Sequence, residues 1–171
     1  MRGLSRLSAL HRVRGVLYAA LNPPFGSPDE RAHFQYVQHL ATGGSVPRGD
    51  EGHQPVPYYA MMVPAYWLTA GQPEATQLLA IRLLSLAFLV GTVLFTWLAA
   101  RQMAPDKPFV PLVATTFVAL HPPLAYISAS ATHDPAAHFL GAVLVFCVGT
   151  AFSESAARLH PWPPLLPGAR Q

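Results

Sequence analysis

Charge is what this sequence has least of. Only 11% of its residues are Asp, Glu, Lys or Arg, where a soluble domain usually carries about 25%. That scarcity argues against a well-solvated globular surface. The net charge of +3 comes from a low acid count, 8 against 11 basic residues, and no basic patch gathers. Nucleic acid is therefore not an expected partner. Cysteine is nearly absent too. The single Cys147 cannot close an internal disulfide, and no Cys/His cluster has zinc-ligand spacing. It reads as a small hydrophobe inside an apolar run. No solenoid-type repeat and no internal domain boundary is visible.

What the chain does have is apolar length. Its residues are 51% hydrophobic, and they gather into long runs. A bilayer core of ~30 Å needs about 20 apolar residues in a helix. Residues 83–100 are wholly uncharged and form the strongest run, with Arg82 at or just inside its edge. Residues 109–131 are also free of acids, lysine and arginine, but His121-Pro122-Pro123 interrupts them. Paired prolines should break the helix there. Broken helices at membrane depth usually face a protein-lined cavity. Residues 136–152 contain no proline and are just long enough. A weaker span, residues 4–21, carries Arg6, Arg12 and Arg14, with Arg2 just before it. This N-terminal stretch also resembles a signal peptide's charged and apolar regions, without a convincing small-residue cleavage pattern.

The expected fold class is an all-α membrane protein with three to four transmembrane helices, near residues 4–21, 78–100, 109–131 and 136–152. Residues 1–152 make up this transmembrane part, with amphipathic interfacial helices in a first external loop, 22–75. Residues 153–171 hold Pro161, Pro163, Pro164 and Pro167 and read as a disordered tail. Arginines precede the first span, and Arg101 and Lys107 lie in the 101–108 loop. Segment 22–75 sets Asp29, Glu30, Asp50, Glu51 and Glu74 against Arg31 and Arg48. The positive-inside rule puts the basic segments in the cytoplasm and the 22–75 loop on the other side. Without the first span, the same loop would be cytoplasmic.

The external loop carries the chemistry. Ser27-Pro28-Asp29-Glu30 predicts a helix start, with Ser27 as N-cap and Glu30 three residues on. Gly43-Gly44 predicts its end. Phe34, Val37, Leu40 and Ala41 share a face, as expected of an amphipathic helix at a membrane surface. Asp29 and His33 are four residues apart, and so are Asp134 and His138. Carboxylate and imidazole at that spacing suit a divalent metal, or a base held by a partner. The plainer reading is that Asp29, Glu30 and Asp134 favour helix first turns. Further on, Tyr58, Tyr59, Tyr66 and Trp67 suit the membrane interface. Arg82 needs a partner, either an acid or a lipid phosphate.

Several of these segments together resemble the GT-C type of membrane glycosyltransferases, which include protein mannosyltransferases and aminoarabinose transferases. Pro28-Asp29-Glu30 with Ala32-His33-Phe34 looks like their first external loop. His53-Gln54-Pro55 with Pro57-Tyr58-Tyr59 resembles the segment closing that loop, although Val56 departs from its Pro-Pro order. Arg82-Leu83-Leu84-Ser85 is similar to their second-helix start. His121-Pro122, Tyr126 to Ser130 and Asp134 look like their third helix and second external loop.

The resemblance implies transfer of a sugar from a polyprenyl-phosphate donor to an acceptor on the non-cytoplasmic face. It implies Asp29 as general base or metal holder, Glu30 as its second, and Asp134 as the second-loop acid. His53, Gln54, Tyr58 and Tyr59 would bind substrate. A divalent ion is the candidate cofactor, with Asp29, His33, Asp134 and His138 as candidate ligands. Such enzymes have more helices than this chain holds, so it reads as an N-terminal portion, inactive alone, with a complementing membrane subunit as a candidate partner. The alternatives are a non-catalytic integral membrane protein or gene remnant, and a small transporter component using the break at Pro122-Pro123.

Overall fold

The computed structural model describes residues 2–46 and 50–159. Among the described residues there are seven α-helices, one short 3-10 turn and no strand. The helices are α1 (Arg2–Leu21), α2 (Glu30–Ala41), α3 (Val56–Leu68), α4 (Glu74–Met103), α5 (Phe109–Leu120), α6 (Pro122–Ser128) and α7 (Asp134–Leu159).

Helix α4 is the central post, packing against α1, α3, α5, α6 and α7. Its 30 residues extend about 45 Å, more than a bilayer core needs. Helices α4 and α7 run side by side in the same direction. Phe139 lies against Phe88 and Phe95, Phe146 against Phe95, and Thr150 bonds Gln102. Gly91 makes this approach possible, because a Cβ there would sit 2.6 Å from the Phe139 ring.

Two helices, α4 and α7, are long and apolar enough to cross a membrane; α5 with α6 makes a third if the bent pair is one span. Helix α1 forms over the expected weak span but is not among them, because its four arginines lower its mean hydropathy. Packing against α4, α5 and α6 holds it instead. Helix α7 continues past the expected end at 152 to Leu159. The rest of the Pro-rich tail, 160–171, and Arg48 lie outside the described residues.

The break between α5 and α6 is the one the prolines predict. His121 is extended (φ −66, ψ 110), as a residue before proline prefers, and the two axes bend by 61°. Pro122 and Pro123 open α6, where a missing N–H is no loss. The carbonyls freed at the end of α5 find a donor in α1. Arg14 Nη1 donates to the oxygens of Ala119 and Leu120, at 3.3 and 3.2 Å.

Helices α2 and α3 form a cap over the first turns of α4. Phe34, Tyr36 and Val37 interlock with Tyr58, Tyr59, Met62, Leu78 and Ile81. The expected amphipathic face of α2 is real, with Arg31, Gln35 and His39 outward. It does not lie free for a membrane surface, because α3 covers it. Tyr58 and Tyr59 are likewise buried in this core and not at an interface. Thirteen apolar residues in α3 have two sides to cover, and only Met61, Trp67 and Leu68 are left among its large exposed side chains.

Candidate functional site

The site grows from one ion pair at the junction of cap and post. Arg82, on the third turn of α4, donates Nε to Glu30 Oε1 at 2.8 Å and Nη2 to Glu30 Oε2 at 2.6 Å. Its remaining hydrogens go to backbone oxygens: Nη1 to Ala19 (2.9 Å) and Asn22 (2.8 Å), and Nη2 to Pro23 (3.0 Å). A guanidinium has five N–H groups, and each has an acceptor here. Glu30 Oε1 also accepts the Ala131 N–H at 2.9 Å. Both side chains are buried, 3% and 0% exposed. One pair thus ties the end of α1, the 22–29 loop, α2, α4 and the turn before α7.

The loop around it is shaped by this pull. Helix α2 starts at Glu30, and Asp29 before it adopts a left-handed conformation (φ 53). Phe25 does the same (φ 59). Non-glycine residues rarely hold positive φ, and doing so costs of order 1–3 kcal/mol. The expected capping box is not formed. Ser27 Oγ instead meets Ser130 Oγ at 2.7 Å and accepts from Asn22 Nδ2 at 2.9 Å. Glu30 is turned inward to Arg82, so it cannot reach back to the cap. The reason is tertiary: a buried arginine outcompetes a surface N–H for the carboxylate.

The candidate acids therefore part company. Asp29 is exposed, and its side chain makes no cap hydrogen bond. Glu30 is fully engaged and holds structure. Asp134 opens α7, partly exposed, with Thr132 Oγ1 3.5 Å from Oδ2 and His133 Nε2 3.8 Å from Oδ1. Tyr58 donates to or accepts from Ser85 at 2.9 Å. Burial pushes its hydroxyl well above the usual tyrosine range; the Ser85 bond pulls it back, and the charges of Glu30 and Asp134 raise it further.

His33 is buried, with Nδ1 2.8 Å from Tyr59 Oη and its ring stacked on that tyrosine. The His133 ring also meets it edge-on at 5.4 Å. Tyr59 in turn stacks on Tyr36 at 3.9 Å. His53 is exposed, and Gln54 Nε2 lies 3.0 Å from its Nε2. Tyr58 and Tyr59 are core residues, so of the four candidate substrate-binding side chains only His53 and Gln54 reach the surface.

The candidate metal set does not assemble. Asp29 is exposed at the N-cap of α2 in a left-handed conformation, while His33 is buried against Tyr59. His138 is exposed, while the imidazole near Asp134 is that of His133. Among the described residues no group of three or more His, Cys, Asp and Glu is placed to hold a metal ion.

Sequence reasoning singled out Arg82 and Glu30 but not as partners. It passed over Ser27, Ser130, Ala131 and His133 as site residues. A cluster of small polar residues at 128–132 was the available signal. Compared with known protein families, curated proteins and solved structures, the chain has no match.

Proposed function

We propose that this chain is the membrane-embedded N-terminal part of a sugar transferase of the GT-C type. In this reading α4, α7 and the α5–α6 pair cross the cell membrane, with the α2–α3 cap on the non-cytoplasmic face. The donor is a polyprenyl-phosphate sugar. Asp29 accepts the proton of the acceptor hydroxyl as the oxygen attacks the sugar's anomeric carbon, and the lipid phosphate leaves. Asp134 assists from the second loop, and Glu30 positions Asp29 through Arg82. A complementing membrane subunit supplies the further helices around the donor lipid.

The observation that carries this reading is the Glu30 carboxylate, bound at once to Arg82 and to the Ala131 N–H. It draws the loop bearing Asp29 and the turn bearing Asp134 to one end of the helical bundle. The left-handed backbone at Asp29 adds support, since strain of this kind collects at working sites.

The test is sugar transfer by membranes containing the chain and its complementing subunit. Asp29→Asn is expected to lower the rate by about 100-fold or more, with the amount of folded protein unchanged. Full activity in both Asp29→Asn and Asp134→Asn would favour the alternative, a non-catalytic integral membrane protein.

A further inference from the structure

A groove of about 460 Å³ runs between α1 and α6, walled by Leu17, Tyr18, Leu21 and Tyr126. Tyr18 and Tyr126 meet edge-on at 6.0 Å along it. Leu17 and Leu21 are 50% and 75% exposed, and Val13 and Val16 extend the same apolar surface along α1. One cation lines the groove, Arg14. Its Nη1 is occupied by the carbonyls of Ala119 and Leu120. Its Nε and Nη2 have no acceptor among the described residues. Arg82 differs in this respect, since all five of its hydrogens are taken.

An arginine edge beside apolar walls, with two donors unused within the protein, is a ready partner for an anion. The Nε and Nη2 hydrogens form a fork that fits two oxygens of a phosphate. The walls fit hydrocarbon. We infer that this groove binds a lipid bearing a phosphate monoester, its headgroup on the free edge of Arg14 and its hydrocarbon against the apolar side chains of α1. The inference rests on the groove and the free edge of Arg14, not on sugar transfer.

The experiment is native mass spectrometry of the full chain released from detergent micelles. The probes are dioleoyl phosphatidic acid, dioleoylglycerol and inorganic phosphate. Phosphatidic acid is expected to bind about 10-fold tighter than dioleoylglycerol. Arg14→Gln should erase that preference, and Arg101→Gln should keep it. Because Arg14 also satisfies the broken helix, Leu17→Trp provides a second variant: it fills the groove, leaves Arg14 intact, and should likewise abolish the preference. Equal binding of the two lipids overturns the inference. So does a preference that survives Leu17→Trp, or displacement of the lipid by millimolar inorganic phosphate, which would mark a site for free anions.

Discussion

Arg82 and Glu30 meet through two hydrogen bonds, 2.8 and 2.6 Å long, at a point where both side chains are almost wholly shielded from solvent. Fifty-two residues separate them in the chain, so the contact closes a long loop as well as neutralising two charges. Removing either partner strands a buried charge. Arg82→Met or Glu30→Met alone is expected to cost about 3–5 kcal/mol. The double variant should recover a large part of that loss, because no charge is left unpaired. Unfolding in detergent, followed by helical circular dichroism, supplies the double-mutant cycle. Additive losses would mean that the backbone bonds of Arg82, and not the pair, carry the stabilisation.

The Tyr58 hydroxyl gives a pH dependence. Burial holds its folded-state pKa above the ordinary tyrosine value, so the folded chain keeps this proton more tightly than the unfolded chain does. The stabilisation is fully present below the unfolded pKa, about 10, and is lost as the pH climbs beyond it. Tyr58→Phe should flatten that alkaline decline. It should also remove the Ser85 bond, at a cost of about 1 kcal/mol near neutral pH. Denaturation midpoints at neutral and strongly alkaline pH measure both effects.

Gly91 tests the packing of α4 on α7. A Cβ there would meet Phe139 at 2.6 Å, so Gly91→Ala is expected to destabilise the pair by about 1–3 kcal/mol. Phe139→Leu introduced on the Gly91→Ala background should restore part of it by vacating the ring edge. Thermal midpoints of the single and double variants decide this. Equal midpoints for Gly91→Ala and the native chain would mean that the Phe139 ring turns aside at no cost.

Cys147 tests the membrane. It is exposed on α7 and is the chain's lone thiol. In water such a thiol reacts readily with maleimides. Within hydrocarbon it is out of reach of a water-soluble reagent. Intact membranes are expected to protect Cys147 from a water-soluble maleimide, while denaturation in SDS exposes it. Rapid labelling in intact membranes would place the middle of α7 in water and remove one of the spans.

Ser27 and Ser130 fasten the first loop to the second through a 2.7 Å hydroxyl pair. Ser130→Ala leaves Ser27 with Asn22 alone, at an expected cost of about 1 kcal/mol. The looser 22–29 loop should be cut faster by protease in detergent than the native loop. An unchanged cleavage rate would mean that the Arg82–Glu30 pair holds the loop without the serines.

The long uncharged runs were legible in the sequence because their meaning is additive. Residues 83–100 read as a span whatever surrounds them, and helices α4 and α7 follow. The break at His121-Pro122-Pro123 was equally plain, since a proline's missing N–H and its steric demand on the preceding residue act locally. Gly43 stopping α2 with φ 83 belongs to the same class.

The candidate site was legible only in part. Asp29, Glu30 and Asp134 were found as acids near helix starts, but their differing fates depend on what lies beside them. Glu30 points inward because Arg82 awaits it from another helix. Asp29 leaves the helix because that inward turn bends the chain before it. Tyr58 and Tyr59 are amphipathic in isolation, and only the contact of α3 with α2 and α4 buries them. The sequence by itself determined where helices break and run long enough to span, because hydrophobic length and proline sterics need no partner. The tertiary structure alone decided which charges are spent on holding the fold and which stay exposed, because a charge takes its meaning from the groups that meet it.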